Sequence, residues 1–567
     1  MRLSLSSLAP WSGRALALAL GCCAVSGALA FKPAVLTEED LHWFVGPVDY
    51  GLGPGLGLPT TGQLKLGADG VWVQAKARAG TVPVGPPDAQ VQGMFGSVFT
   101  WPLIPLHMVL VPDGRVLTYG SQLNGMQGAQ FNYVIWDPSA GTDPDSMMVM
   151  PNSTGTDIFC AAQVLLPDSG SVLILGGDRI VNGQRNYANN DVNIFDPSTN
   201  DLNKQAASMA YQRWYATAVT MDTGTQVVLG GRMDRYFAGD ANDPPTTATY
   251  ATSPEVYDAG TWGTLSGADS STVFGAASSN WSYPQGWLAP NGQVFMLAHS
   301  GKMYNLSTAG TGVLTQLTPT TSAAVPALSS TMYAPGKILS LRNGAAAVTV
   351  DINGATPKVS ATDGPGWNRL YGNTTLLADG TVWASGGSTT GNDLAGEVLQ
   401  SEIWNPATGH WTLTATAAKP RLYHSAALLM PDATVLTGGG GAPGPVSNLN
   451  AEIYYPPYLY LKDGSGNPAP RPTITSAPTV VSWGQQISVN VKSATPVSRL
   501  SFVRMGTVTH DFNNDQRFTE LKFKVKGKQL KLTTPTSKTL NPPGFYLLFA
   551  FDGNGVPSVA RVVKMAD

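Results

Sequence analysis

A hairpin unit that returns along most of the chain restricts the fold more than any other feature of this sequence. Its clearest copy is Ala426-Ala-Leu-Leu-Met430, then Pro431-Asp432, then Val435-Leu-Thr437 and a glycine run to Gly441. Two apolar runs of strand length flank a Pro-Asp turn. Proline presets φ for the turn, and glycine supplies the positive φ that ends the second strand. Further copies stand at Met108–Gly120, Ala161–Gly177, Ala216–Gly231, Gly286–Met296 and Asn373–Gly387, with a worn copy around Met332–Ser340. Their spacing of roughly 40 to 70 residues is the range of propeller blades of the kelch kind.

Seven copies predict an all-β chain built around a seven-bladed kelch-type β-propeller. Radial closure leaves few strand edges open to water. Phrases such as Val192-Asn-Ile-Phe-Asp-Pro197 and Ser401-Glu-Ile-Trp-Asn-Pro406 fit the outer strands of the blades. After the last copy, Gly464-Ser-Gly-Asn-Pro-Ala-Pro470 has a linker composition. Ile487–Val491, Arg499–Val503 and Gly544–Phe551 then alternate or run apolar between turn signals. Strands of that kind make an immunoglobulin-like β-sandwich. The expected division is 1–30, 31–98 of no readable structure, a propeller over 99–460 that carries the site, and a sandwich over 468–567.

Residues 1–30 have the layout of a secretory signal peptide. Arg2 and Arg14 precede the apolar run Ala15–Ala24, and small residues stand at Ala28 and Ala30. Cleavage near Ala30 and export to the periplasm or medium are expected, and no later stretch is long and apolar enough to span a bilayer. The glycine-rich Gly51–Gly57 lacks the Lys-Ser/Thr and the helix of a phosphate loop and reads as a plain loop. A formal net charge of −3 gives no electrostatic case for nucleic acid or an anionic membrane. The cysteines are Cys22, Cys23 and Cys160, and the first two leave with the leader. A secreted chain with one cysteine is either burying a small hydrophobe or using the thiol in another covalent bond.

Candidate chemistry lies where the copies differ. Inner strands of a propeller converge on its axis, so one register in several blades gathers at one mouth. Aligned on the Pro-Asp turns, Cys160 and His424 share a position, with Tyr423 beside His424 and Tyr215 one residue later in its copy. A thiol, an imidazole and two phenols thus start inner strands together. On spacing alone they read equally as ring packing at strand ends, because a fold does not imply a function.

A set of short motifs resembles the copper radical oxidases of the galactose oxidase and glyoxal oxidase family. They are Asp157-Ile-Phe-Cys160, Arg213-Trp-Tyr215, Arg421-Leu-Tyr-His-Ser425, Pro456-Pro-Tyr-Leu459, Val508-Thr-His510, Asn514-Asp-Gln-Arg517 and Pro542-Pro-Gly-Phe-Tyr546. The resemblance implies one copper ion bound by Tyr215, Tyr423, His424 and His510, the last carried in by the C-terminal domain. It implies a Cys160–Tyr215 thioether as a protein-derived radical cofactor, with Tyr423 as general base. Two imidazoles and two phenolic oxygens suit Cu(II). The implied reaction oxidises a small aldehyde, a primary alcohol or a carbohydrate with dioxygen and releases hydrogen peroxide, in a monomer. Arg213-Trp-Tyr215 and the brief region before the propeller sit closer to the glyoxal oxidase branch. The tryptophan that stacks on the linked pair in galactose oxidase has three counterparts here: Trp214, Trp281 or Trp367.

His42, His107, His299 and His410 share no register with these residues and read as structural. A non-catalytic propeller that binds glycan or protein is the alternative, but it has no use for this thiol, phenol and imidazole set. A propeller glycosidase would need a carboxylate pair, and no acidic cluster stands at the starts of the copies.

Overall fold

The structure, a computed structural model, describes residues 82–235, 249–275, 280–321 and 327–567. The signal peptide, the Gly51–Gly57 loop and His42 lie outside the described residues.

Seven sheets radiate from the starts of the repeat copies. Their inner strands are His107–Leu110, Ala162–Leu165, Thr217–Thr220, Gln285–Leu288, Ala327–Ala334, Asn373–Leu376 and Ser425–Leu429. Each pairs antiparallel with the strand that follows it, as the hairpin reading requires. The second strands are as apolar as Val172–Leu175 because neighbouring blades cover both faces of each sheet, so all four of its residues are buried. Alternation is replaced by a continuous apolar run, as in other strands covered on both sides.

The worn copy makes a complete four-stranded blade. Only its turn is abbreviated. Ala334 pairs with Lys337 across Pro335-Gly336, and Gly336 has φ +67°. Proline followed by a residue at positive φ is the type II combination. The last blade is completed from the other end of the chain. Met94–Phe95 and Phe99–Thr100 both pair antiparallel with Asn450–Tyr455. This closes the ring with hydrogen bonds between the two ends of the propeller.

The C-terminal sandwich packs one sheet of Thr473–Ser476, Gln486–Lys492, Gln529–Thr533 and Phe523–Lys526 on a second built around Gly544–Phe551. Val489, Leu500, Phe502, Leu548 and Ala550 fill the space between them. One hairpin leaves this sandwich. Thr507–Thr509 runs antiparallel to His107–Val109 and extends the first blade inward. Phe512–Asn513 returns beside it. The two-residue tip is His510-Asp511, with φ +47° and +60°. Positive φ at both central residues is the type I′ turn, whose twist matches that of the strands it joins. The hairpin is held along its length. Gln163 donates to Val508 O at 3.0 Å, Gln516 donates to Leu376 O at 3.0 Å, and Asn514 donates to Ala218 O. Three blades therefore anchor it.

Candidate metal centre

The site begins with the corners that lead into the inner strands. Cys160, Tyr215, Tyr283, Tyr371 and His424 have φ of +55°, +67°, +40°, +63° and +67°. Each stands five residues before the last residue of its inner strand: Leu165, Thr220, Leu288, Leu376 and Leu429. Aligned by strand pairing, Tyr215 shares the register of Cys160 and His424, which corrects the one-residue offset of the turn alignment. The offset arose in the turns. Met221-Asp222 carries no proline, so Asp222 stands in the place of Pro167 and Pro431 rather than of Asp168 and Asp432. Left-handed backbone at a non-glycine residue costs about 1–2 kcal/mol. Five such residues at one mouth are the kind of strain that functional sites hold.

Two devices hold the corners. Glycine pairs at the ends of the second strands let the next blade dock by its backbone. Gly177 N–H donates to Arg213 O at 2.9 Å, Gly231 to Trp281 O at 2.7 Å and Gly387 to Arg421 O at 2.7 Å. A Cβ on Gly176 would lie 2.1 Å from Arg213 O, so no other residue fits there. Buried ion pairs do the rest. Arg213 donates to Glu255 through Nε at 3.0 Å and a terminal nitrogen at 2.8 Å, and to Gly230 O and Ser253 O. Arg369–Glu402 and Arg421–Glu452 repeat the arrangement at 2.7 and 2.8 Å. Breaking a buried pair from one side costs about 3–5 kcal/mol. Glu255→Ala is therefore expected to lower the stability of the copper-free protein by that amount, read as the first transition in urea, and a shift below about 1 kcal/mol contradicts this role.

The corners and the hairpin tip bring the expected residues together. The Cys160 thiol lies 3.5 Å from His510 Nε2 and 3.9 Å from His424 Nε2. The Tyr215 and Tyr423 hydroxyls are 2.5 Å apart. The Tyr215 N–H donates to Cys160 O at 3.0 Å, and the Tyr283 N–H to Tyr215 O at 2.7 Å. All six residues are buried. His424 uses Nδ1 for Gly441 O at 2.7 Å, and His510 uses Nδ1 for Thr509 Oγ1 at 2.7 Å. A carbonyl can only accept, so the His424 proton is on Nδ1 and the Nε2 lone pair is free. Burial pulls His424 down to about 3, and burial with His424 and His107 nearby pulls His510 well below its ordinary value. Both imidazoles are neutral, the form that binds a metal ion. Burial pushes the Cys160 thiol well above its usual range. It does the same to the Tyr215 phenol, with Cys160 and Tyr423 beside it adding to the effect.

Two imidazoles and two phenols therefore line a common space, with the two phenol oxygens paired with each other. This donor set fits Cu(II), which accepts tetragonal nitrogen and oxygen ligands. The cluster of Cys160, His424 and His510 has its ligand atoms within 4.8 Å of one another.

Several residues that register reasoning passed over also reach the site. Tyr283, Tyr371, His299, Ser282, Gln285 and Asp511 line the cavity beside Tyr423 and His424. The signal for the first two was the corner register itself. For His299 it was a departure from the repeat: Ala298-His299 stands where other blades have the glycine pair. His107 stacks on Tyr119 with centroids 4.2 Å apart and packs edge-on to His510 at 6.0 Å, whereas His410 is exposed and pairs with Asp363. Of the three tryptophans, Trp214 meets the Tyr215 ring edge-on at 4.3 Å and Trp281 lies 6.1 Å away. The Arg232 guanidinium sits over both indoles, at 5.3 and 5.5 Å. Trp367 packs against Arg369 instead.

Known proteins carry the same architecture. A family model described as galactose oxidase-like, Early set domain, matches residues 471–565. A galactose oxidase of Gibberella zeae is 27% identical over 511 residues, spanning 83% of this chain and 70% of its own. The aldehyde oxidase GLOX of Vitis pseudoreticulata is 26% identical over 482 residues, spanning 75% of this chain and 84% of its own. Among solved structures, a fungal alcohol oxidase of the AA5 family in complex with copper matches with a TM-score of 0.71 and 26% identity, over 84% of this chain and 100% of its own. The chain is therefore a relative of the copper radical oxidases of the galactose oxidase and glyoxal oxidase type, and the kinship runs through the propeller as well as the sandwich.

Proposed function

We propose that the protein is an exported copper radical oxidase that oxidises a small primary alcohol or aldehyde with dioxygen and releases hydrogen peroxide. The observation that supports this most is the pair of buried imidazoles, both with Nε2 turned toward the Cys160 thiol, beside two phenols in contact. His424, His510, Tyr215 and Tyr423 would hold the ion. Copper bound there supplies one of the two redox equivalents of each turnover and a Lewis acid for the substrate oxygen.

The chain's own residues do the rest. The Tyr423 oxygen, 2.5 Å from that of Tyr215, takes the proton of the substrate hydroxyl as general base. Tyr215 supplies the second redox equivalent: its phenoxyl form takes the hydrogen atom from the reacting carbon and returns to the phenol. A thioether from Cys160 donates electron density to that ring and makes it easier to oxidise. Burial keeps the ring, only 1% exposed, away from solvent reductants. The alcohol reaction balances as RCH2OH + O2 → RCHO + H2O2. For an aldehyde, the hydrate reacts: RCH(OH)2 + O2 → RCO2H + H2O2.

The free space of about 40 Å³ beside Tyr423 and His424 favours small substrates. Copper-loaded protein is expected to release peroxide from such alcohols or aldehydes and to fall silent on copper removal. A protein that holds copper and yields no peroxide from any alcohol, aldehyde or sugar would sink the proposal and leave the binding-propeller reading.

A further inference from the structure

We propose that the outer sheet of the C-terminal sandwich is a binding face for an acidic polysaccharide, a sugar polymer with a carboxylate on most of its units. Lys492, Lys524, Lys526 and Lys531 meet the carboxylates, and the amides and hydroxyls between them meet the sugar hydroxyls. This goes beyond the oxidase reading and does not depend on it.

The net charge of the whole chain hides an uneven distribution. Residues 471–567 hold 13 of the 34 Lys and Arg residues but only five of the 37 Asp and Glu residues. That range is formally +8, and the rest of the chain −11. Such asymmetry points to an anionic partner even where the total is near zero. The excess is concentrated: between Glu520 and Asp552 the chain has six lysines and no acid.

Strand register gathers these lysines on one face. Ile487, Val489, Leu530 and Leu532 belong to the core of the sandwich. The residues that alternate with them point outward, because successive side chains leave opposite faces of a strand. Lys531 lies opposite Lys524 on one side and Ser488 on the other, and Lys526 lies opposite Gln529. Lys492 ends the outward row of Gln486, Ser488 and Asn490. All four lysines are exposed. Facing positions are about 5 Å apart across strands and alternate ones about 7 Å apart along a strand. Among the described residues none of the four forms an ion pair, whereas Lys538 is taken by Asp567 and Arg499 by Glu520.

Like charges directly opposite one another destabilise a sheet. Lysines on an edge strand guard it against pairing with other chains, and that accounts for Lys524 and Lys526 on the edge strand Phe523–Lys526. It does not account for Lys531 and Lys492, whose strands are interior to the sheet. An anionic polymer laid across the strands relieves the repulsion. Among the described residues no aromatic side chain points out from this face to stack on bases, and no apolar one to enter a lipid interface. Gln486, Ser488, Asn490 and Gln529 lie between the lysines instead, with the donors and acceptors that sugar hydroxyls need. The sandwich meets the propeller through its other sheet, where Ser501 donates to Ala378 O at 2.9 Å and Lys564 to Asp168 O at 2.7 Å. The His510 hairpin also leaves from that sheet, so a polymer on the lysine face leaves the metal centre in place.

The test is affinity electrophoresis of the copper-loaded protein in gels holding polygalacturonate or its fully methyl-esterified form. At low salt the charged polymer is expected to bind at least tenfold more tightly than the ester, and about 1 M salt, where the Debye length falls to about 3 Å, should abolish the difference. The triple variant Lys524→Gln, Lys526→Gln, Lys531→Gln should bind polygalacturonate at least tenfold more weakly, through the loss of three close Coulomb contacts, while its copper content and urea midpoint stay as in wild type. Lys302→Gln, Lys358→Gln, Lys419→Gln makes the same change of net charge at exposed propeller positions and should bind as wild type does. No retardation by polygalacturonate, equal binding of the ester, no weakening in the first triple variant or equal weakening in both would overturn the proposal. Tighter binding of duplex DNA or of phosphatidylserine vesicles than of polygalacturonate would overturn it too.

Discussion

His510→Asn is expected to weaken copper binding at least a hundredfold while the copper-free protein still folds. The variant keeps the turn, because asparagine tolerates the φ of +47° that His510 adopts. It removes one of two imidazole nitrogens aimed at the shared space. Loss of an outer hydrogen-bond partner alone typically costs about 10–100-fold in metal affinity, so loss of a donor should exceed that. The strand Thr507–Thr509 still pairs with the first blade, and Gln163 still reaches Val508 O. A urea midpoint close to wild type, with metal analysis showing little retained copper, is the expected pair of results. Removing the whole sandwich is a blunter experiment, since it strips a strand from the first blade as well as the imidazole. Full copper occupancy in His510→Asn would exclude this residue from the site and with it the role of the C-terminal domain.

Cys160→Ser is expected to abolish a covalent bond and most of the activity. The Tyr215 N–H donates to Cys160 O, and the thiol and phenol are close enough to perturb each other. Joining sulfur to a carbon of the Tyr215 ring removes one hydrogen from each, and dioxygen carries both away as hydrogen peroxide. The mature mass should therefore be about two daltons below the value for the unmodified chain, a covalent change that alters the physical argument. Peptide mapping should recover the Cys160 and Tyr215 peptides joined by a bond that thiol reductants leave intact. In Cys160→Ser the peptides should separate and peroxide release should drop by about a hundredfold or more, the scale of losing one optimised catalytic group. The serine hydroxyl is buried and costs about 1–3 kcal/mol, which a chain of this size tolerates. Separate peptides in copper-matured wild type would remove the radical cofactor from the mechanism.

Much of this molecule is legible in order of residues, and the reason is repetition. A hairpin of apolar run, Pro-Asp turn and glycine pair is a local object whose turn chemistry and strand length are written within about twenty residues. Seven such objects can bury their faces only against one another, so the ring follows from the count. The worn copy joins it because the defect lies in the turn at Pro335-Gly336 and not in the strands. Cys160 and His424 were readable because they break the pattern at one register, with Tyr423 and Tyr215 next to it, and the short motifs that carry the resemblance singled out all four together with His510.

The remainder depended on contacts between parts of the chain that carry no common pattern. The offset of Tyr215 vanishes only when strand pairing replaces turn alignment, because an aspartate in the proline's place makes the turn of that copy look displaced by one residue. Met94–Phe95 and Phe99–Thr100 are too short to read as strands, and their pairing with Asn450–Tyr455 comes from closure of the ring. His299 reads from the sequence as structural, and no motif or register points to Asp511. Only the tip of an inserted hairpin and a blade without its glycine pair aim them at the cavity. Periodicity records what each segment does to its own neighbours. It holds no record of which side chains from distant segments will share one small, poorly hydrated space, and that is settled by how the blades and the hairpin pack.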